Sequence, residues 1–290
     1  MSLRVSIVVP VRRASATLQA TLADLLRQDC SEPFEIVAVV SPDDPTAAIL
    51  SRLTDPRLRV MIASAPCGVP QLRRDGARGC RAPFVAITED HCRLPPGWIR
   101  GLMAAIEAHG VDISGGPVSN GRRSAAGWAQ YFTRYSSFMP PVTEGFTRSL
   151  PGNNACYRSE ILRAHAELLR EGFWEAEFNH ALLRAGCKMW MAPALEVSQR
   201  QERGFLEYIP LRFRHGRCYG ARRDRKPWLA APLIPAVLFL RAARAVFGKR
   251  RDRIVFVAVS PLVFAYMVSW AAGEIAGYLF GPGRSCLKTD

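Results

Sequence analysis

Glu89, Asp90 and His91 directly follow Pro83-Phe-Val-Ala-Ile-Thr88, a continuous apolar run. In extended backbone, residues two apart point the same way, so Glu89 and His91 share a side. An oxygen and a nitrogen donor placed together suit Mn2+ or Mg2+, with coordination positions left over for phosphate oxygens and water. Such an ion would neutralise charge building on a leaving diphosphate. A solvated acidic turn is the plainer account of the same three residues, and spacing alone leaves both open.

The elements around the cluster say where it must sit. Val5-Ser-Ile-Val-Val9 reads as a strand ended by Pro10, followed by an amphipathic helix from Ser15 to Gln28 with Leu18, Leu22, Leu25 and Leu26 on one face. A second strand, Phe34 to Val40, stops at Ser41-Pro-Asp-Asp-Pro45 before a short helix over 46–53. A third strand over 57–62, a helix over 70–80 and the strand Pro83–Thr88 complete the pattern. Continuous apolar strands alternating with helices imply a mostly parallel sheet covered on both faces, with ligands gathering at the carboxyl ends of the strands. There, Pro10 to Arg13, Ser41 to Asp44 and Glu89 to His91 face one crevice.

The chain has 290 residues, 49% of them hydrophobic, enough for one core and a tail; disorder is excluded on composition. Its 39 Lys and Arg against 25 Asp and Glu leave a net charge of +14. That balance favours phosphate-bearing partners or reflects a merely basic surface. The eight cysteines are scattered singly, with no Cys-x-x-Cys pair and no secretory signal before Val5. This argues against zinc ribbons and disulfide frameworks and for a reducing compartment.

From Val5 to about Gly220 the chain resembles family 2 glycosyltransferases of the GT-A fold, of the membrane-associated bacterial type. Val5-Ser-Ile-Val-Val-Pro10 is similar to the family's opening strand. Ile87-Thr-Glu-Asp-His-Cys-Arg-Leu-Pro-Pro-Gly-Trp98 is similar to its Asp-x-Asp strand and proline-rich turn, with Glu89 and His91 in place of the two aspartates. The resemblance thus implies a divalent metal (Mn2+ or Mg2+) at Glu89 and His91. It implies nucleotide-sugar contacts from Pro10, Val11, Arg12 and Asp90. Arg74-Asp75 resembles the family's Arg-Asn pair, which implies a donor contact for Arg74.

Pro151 to Arg158 resembles the small-residue strand beneath sugar and acceptor, and brings in Asn154. Gly172-Phe-Trp-Glu-Ala-Glu-Phe-Asn179 resembles the segment bearing the catalytic base, which puts Glu175 in that role and Glu177 next. An inverting transfer needs one carboxylate to take the acceptor proton, although a carboxylate at a helix start also stabilises the first-turn amides. The family carries an Asp pair for the nucleotide base where this chain has Ser41-Pro42, so Asp43 is the substitute through a shifted turn.

The segment over 200–225 mixes arginines with Leu206, Ile209, Leu211 and Phe213. It suits either a basic amphipathic element on a membrane surface or a solvated basic helix. In the related transferases this region covers the donor, which implicates Arg214 and Arg217. Ile254 to Gly273 is twenty residues without a formal charge, long enough to span a bilayer. Leu229 to Leu240 stops at Arg241 and Arg244 and reads as interfacial or re-entrant, while Lys249-Arg-Arg-Asp-Arg253 favours the cytoplasmic side, so the expectation is one spanning segment and one surface helix, with a hairpin in one leaflet or a soluble helical domain as alternatives.

The expected architecture is therefore an α/β GT-A (Rossmann-like) catalytic domain over 1–225 and a C-terminal helical membrane-associated region over 226–290. The expected partners are a nucleotide-sugar donor, a lipid-linked or envelope-polysaccharide acceptor and the cytoplasmic face of the inner membrane, with no nucleic acid. A second reading keeps the fold but makes the chain a catalytically silent binder of anionic lipid or polysaccharide.

Overall fold

The computed structural model describes residues 2–12, 17–201, 203–223 and 228–288. The expected helix start at Ser15, Arg13, Arg225 and the expected boundary at 225/226 lie outside the described residues. The first half of the chain runs β1 (Val5–Val11), α1 (Leu18–Leu26), β2 (Phe34–Val40), α2 (Thr46–Leu50), β3 (Leu58–Ile62), α3 (Val69–Arg78), β4 (Phe84–Ile87), β5 (Cys92–Arg93), α4 (Trp98–His109), β6 (Ile113–Gly115) and β7 (Val118–Asn120). The second runs α5 (Ala125–Tyr135), β8 (Gly145–Phe146), β9 (Ala155–Arg158), α6 (Ser159–Ala164), α7 (Glu175–Arg184), β10 (Met189–Met191), β11 (Val197–Gln199), α8 (Phe205–Arg222), α9 (Ile234–Lys249) and α10 (Arg253–Phe280). Two compact units result, residues 1–119 with 140–200, and residues 120–139 with 201–290.

The first unit holds an eight-stranded sheet in the order β3-β2-β1-β4-β9-β6-β10-β8. β1 and β2 are buried at every position, as strands covered on both faces must be. Each fully buried Val or Ile there contributes about 1.5–3 kcal/mol. β3, β2, β1 and β4 run parallel. β9 enters antiparallel between β4 and β6, with Ile87 opposite Ala155. Its amino end therefore lies at the same edge as the carboxyl end of β4, which brings residues 150–154 to Glu89.

Helix α3 lies unusually close on this sheet. A Cβ on Gly76 would fall 2.5 Å from Val8 Cγ1 and 2.8 Å from Val39 Cγ2, so only glycine permits the approach. Arg73, one turn earlier on the same helical face, is carried with it to the edge where β1 and β4 end. α1 secures the far side of the acidic turn through residues spaced along one face. The Thr21 hydroxyl is shared between the carbonyls of Asp90 and Cys92, at 3.0 and 2.8 Å. Asp24 accepts from Leu94 N at 3.1 Å, and Gln28 accepts from Ile99 N at 3.1 Å.

The second unit is helical. α8 and α10 touch backbone to backbone through glycines four residues apart on each: a Cβ on Gly216, Gly220, Gly273 or Gly277 would fall 2.0–2.3 Å from a carbonyl oxygen of the opposite helix. Glu274 is buried in this seam and accepts from Arg223 at 2.9 Å, from Trp270 Nε1 at 3.1 Å and from the Tyr278 hydroxyl. α8 is also joined to the segment after α10 by a Cys218–Cys286 disulfide with a Cα–Cα distance of 5.5 Å. This corrects the expectation of singly placed, unbridged cysteines, because a chain that doubles back along α8 brings together residues far apart in sequence.

α9 does not stop at Leu240 but continues through Arg241 and Arg244 to Lys249. Ala231–Lys249 and Arg253–Phe280 are both long and apolar enough to cross a membrane.

Candidate active site

One guanidinium organises the site. Arg73, itself buried, donates through Nη2 to Glu89 Oε1 and through Nη1 to Glu175 Oε2, the latter at 2.8 Å. The second Glu89 oxygen faces His91 Nε2 at 2.9 Å, ion-pair distance outside hydrogen-bond geometry. On its other side His91 Nδ1 lies 2.9 Å from Asp90 Oδ1. Glu175, Arg73, Glu89, His91 and Asp90 thus form a continuous row at the sheet edge.

The two glutamates of this row differ in access. The Glu89 side chain is 5% exposed and the Glu175 side chain 36% exposed. Only Glu175 is open enough to receive a proton from a bound molecule.

Glu175 is held at that position from several directions. It opens α7, which is anchored by Asn179: Tyr157 Oη donates to Asn179 Oδ1 at 3.0 Å, and Asn179 Nδ2 donates to Leu150 O at 3.1 Å. The segment before α7 is tied to the start of α3, with Phe173 N on Pro70 O at 2.7 Å and Gln71 Nε2 on Glu171 O at 2.9 Å. Below it, Gly152 leaves the space the carboxylate fills, since a Cβ there would fall 2.6 Å from Glu175 Cγ and Cδ.

Burial works against the imidazolium form of His91, but the Glu89 charge and the contacts with Asp90 and Glu89 outweigh it and raise His91 above its ordinary value. Beneath the cluster, burial and then the Glu89 charge push the Cys92 thiol up to about 12, so it remains a thiol.

These side chains, as they stand, do not fit a resident divalent ion. One oxygen of Glu89 is on Arg73, the other faces His91, and His91 is held between two carboxylates. Among the described residues no group of three His, Cys, Asp or Glu side chains is set to hold a metal.

The other expected contacts divide. Pro10 and Val11 lie inside β1 and are buried, leaving their backbone at the edge. Arg12 follows them and donates to Cys67 O. The Ser41 hydroxyl donates to Asp43 and accepts from Cys67 N at 3.2 Å, so the ends of β1 and β2 meet at Cys67. Asp43 is exposed, whereas Asp44 is turned inward to Thr46 N at 2.9 Å.

Arg74 does not reach the row. It pairs with Asp75 at 2.7 Å and donates to Arg170 O at 2.9 Å. Its neighbour Arg73 is the residue the sequence reading missed, and the signal was present: Arg73, Gly76 and Ala77 share the buried face of α3. Asn154 is also not a free donor group. Its Oδ1 accepts from Trp98 Nε1 at 2.7 Å, and its Nδ2 donates to Leu195 O at 2.7 Å and Pro117 O at 3.0 Å. Its amide therefore braces the floor of the site. Glu177 is exposed on α7. Arg214 and Arg217 belong to the helical unit, where Arg217 Nε donates to Gly281 O at 2.8 Å.

The family model described as Glycosyl transferase family 2 matches residues 6–165. No curated protein sequence matches the chain. Among solved structures, TarS 1-349 from S. aureus in complex with UDP-GlcNAc is similar in fold at 14% identity and a TM-score of 0.55, covering 99% of this chain and 93% of that one. The mannosyltransferase PcManGT from Pyrobaculum calidifontis, in complex with GDP-Man and Mn2+, is similar at 16% identity and a TM-score of 0.58, covering 96% of this chain and 87% of that one.

Proposed function

The chain belongs to glycosyl transferase family 2, and on that premise we propose that it transfers a sugar from a nucleotide-diphosphate sugar to an acceptor hydroxyl with inversion, using Glu175 as general base. The observation that carries the proposal is the row Glu175–Arg73–Glu89: one accessible carboxylate and one buried carboxylate joined by a single guanidinium at the edge where β1, β2 and β4 end.

In the proposed step Glu175 takes the proton of the acceptor hydroxyl. The freed oxygen forms a bond to the anomeric carbon from the face opposite the leaving group. The carbon–oxygen bond to the phosphate breaks, and the nucleoside diphosphate departs with the electron pair. Arg73 and Arg12 provide positive charge where that anion develops. The exposed Asp43 after β2 is placed to contact the nucleoside, and the backbone of Pro10 and Val11 to border it. Two similar folds bind UDP-GlcNAc and GDP-Man, which supports a nucleotide-sugar donor without fixing the base.

One of those proteins is in complex with Mn2+ as well as GDP-Man, whereas here Glu89 and His91 are committed to Arg73, Asp90 and each other. For the acceptor, the apolar helices α9 and α10 support a lipid-linked or envelope-polysaccharide intermediate presented at the cytoplasmic face of a membrane.

A panel of nucleotide sugars with release of nucleoside diphosphate as the signal tests the proposal, with the parent compared to Glu175→Gln, Arg73→Ala and Glu89→Ala. Release by the parent from one donor class, lost in the variants, is the expected result. Equal rates in the parent and all three variants would remove the row from the mechanism.

A further inference from the structure

The outer face of the α9–α10 hairpin has no partner among the described residues. On α10, Ile254, Val257, Ala258, Pro261, Phe264 and Val268 recur at helical spacing along one exposed stripe, with Ile254 86% and Val257 58% exposed. The opposite face is already used: α10 packs against α5, α8 and α9, with ring contacts Phe132–Phe256 at 5.1 Å and Phe239–Phe256 at 5.6 Å. A helix covered on one face and apolar on the other requires an apolar medium. α9 and its N-cap Leu233 continue the pattern with exposed Leu233, Val237 and Leu240, and then the exposed face turns basic at Arg241 and Arg244. Arg250 and Arg251, both exposed, follow in the tight turn before α10, where Arg250 and Asp252 adopt positive φ.

A crossing of the bilayer does not suit this distribution. Arg241 and Arg244 sit in the middle of the apolar window 231–249, and an exposed cation at bilayer mid-depth costs about 2.5–3.5 kcal/mol on the insertion scale. Were both helices to cross, the charged turn 249–253 would also have to pass through, and α10 alone would carry in α8, which is packed along it with its arginines. A hairpin lying in the plane of one leaflet satisfies both parts: the stripe enters the acyl boundary and the arginines remain at phosphate level.

We infer that the α9–α10 hairpin docks in one leaflet of an anionic bilayer, burying Ile254, Val257, Phe264 and Leu240 and setting Arg241, Arg244, Arg250 and Arg251 against lipid phosphates. The occupant is a phospholipid surface rather than a protein because the apolar stripe and the cationic stretch are contiguous in the hairpin, matching the layered chemistry of a headgroup region. This deepens the membrane part of the proposed function, and binding is read without donor, so its failure leaves the transferase reading untouched.

The test is flotation of the full chain with vesicles of phosphatidylcholine alone or with phosphatidylglycerol added. Strong binding to the anionic vesicles is expected, reduced about tenfold or more by exchanging Arg241, Arg244, Arg250 and Arg251 together for Gln. Ile254→Asp with Val257→Asp abolishes flotation with either vesicle. Both variants carry only surface changes, and unchanged thermal unfolding verifies that they fold. In vesicle-bound Arg251→Cys, labelling by an externally added impermeant maleimide above the parent's background places the turn on the added side. Protection of that cysteine, or equal binding to both vesicles by the parent and the Gln variant, would overturn interfacial docking in favour of spanning. No vesicle binding, together with a dimer that Val257→Asp dissociates, would assign the stripe to a second copy.

Discussion

Arg73 Nη1 lies 2.8 Å from Glu175 Oε2, so the carboxylate assigned to proton transfer is held by the same guanidinium that neutralises buried Glu89. α3 and α7 are remote in sequence, and this contact is what makes them one site.

Replacing Glu175 by Gln keeps shape and hydrogen bonding but removes the proposed base. Steady-state transfer kinetics should show kcat reduced by about 10^2–10^4 with the donor KM within a few-fold of the parent. Glu177→Gln, on the exposed face of α7, should match the parent. An equal loss in both would mean that α7 contributes structure alone.

Arg73→Ala should do two separable things. Removing one partner from a buried pair destabilises by about 3–5 kcal/mol, readable in denaturant unfolding. It also releases Glu89 toward His91, so the donor-free variant should gain Mn2+ binding, followed by the loss of free-ion electron paramagnetic resonance signal, that the parent lacks. Arg74→Ala, whose contacts are Asp75 and Arg170 O, should change neither. Equal Mn2+ binding in the parent and Arg73→Ala would show that Arg73 does not exclude an ion from Glu89.

Gly152→Ala should separate positioning from stability. The three atoms nearest the new methyl all belong to the flexible end of Glu175, which can move aside without disturbing the sheet. The melting temperature and donor KM should remain near the parent while kcat falls about tenfold, as small misplacements of a reacting group do. An unchanged kcat would show that the carboxylate has no single working position.

Glu35 sets part of the acid limit. Burial raises its pKa, but hydrogen bonds from Arg59 at 3.0 Å and Ser6 at 2.6 Å outweigh it, and the folded value lies below 4.5. A depressed carboxyl contributes stability that is complete above its unfolded pKa and lost as pH falls through the folded one. Unfolding free energy should therefore decline below pH 4.5. Glu35→Gln should be less stable at neutral pH by about 1–3 kcal/mol and show a shallower decline.

The strands were readable because β-branched runs such as Val5–Val9 and Phe34–Val40 have one low-energy solution, burial on both faces of a sheet. The acidic turn was readable because it follows such a run. Arg74 stands out in the sequence because its adjacency to Asp75 resembles the family's Arg-Asn pair, whereas the helical face shared with Gly76 decides which arginine turns inward. Asn154 has the composition of a ligand contact, and only the approach of Trp98, Leu195 and Pro117 reveals that its amide is spent on the fold. The α8–α10 seam was missed because Gly216, Gly220, Gly273 and Gly277 have no side-chain pattern to read; their meaning lies in the carbonyl each one faces.

The sharing of Arg73 also has a bearing on the order of events. While it rests on Glu175, the proposed base is masked by an opposing charge. In the proposed mechanism a diphosphate arriving at the sheet edge would compete for that guanidinium and, in drawing it away, would leave Glu175 bare for the hydroxyl that comes next. Donor before acceptor is then a sequence set by one side chain, and product-inhibition patterns would reveal it as ordered addition.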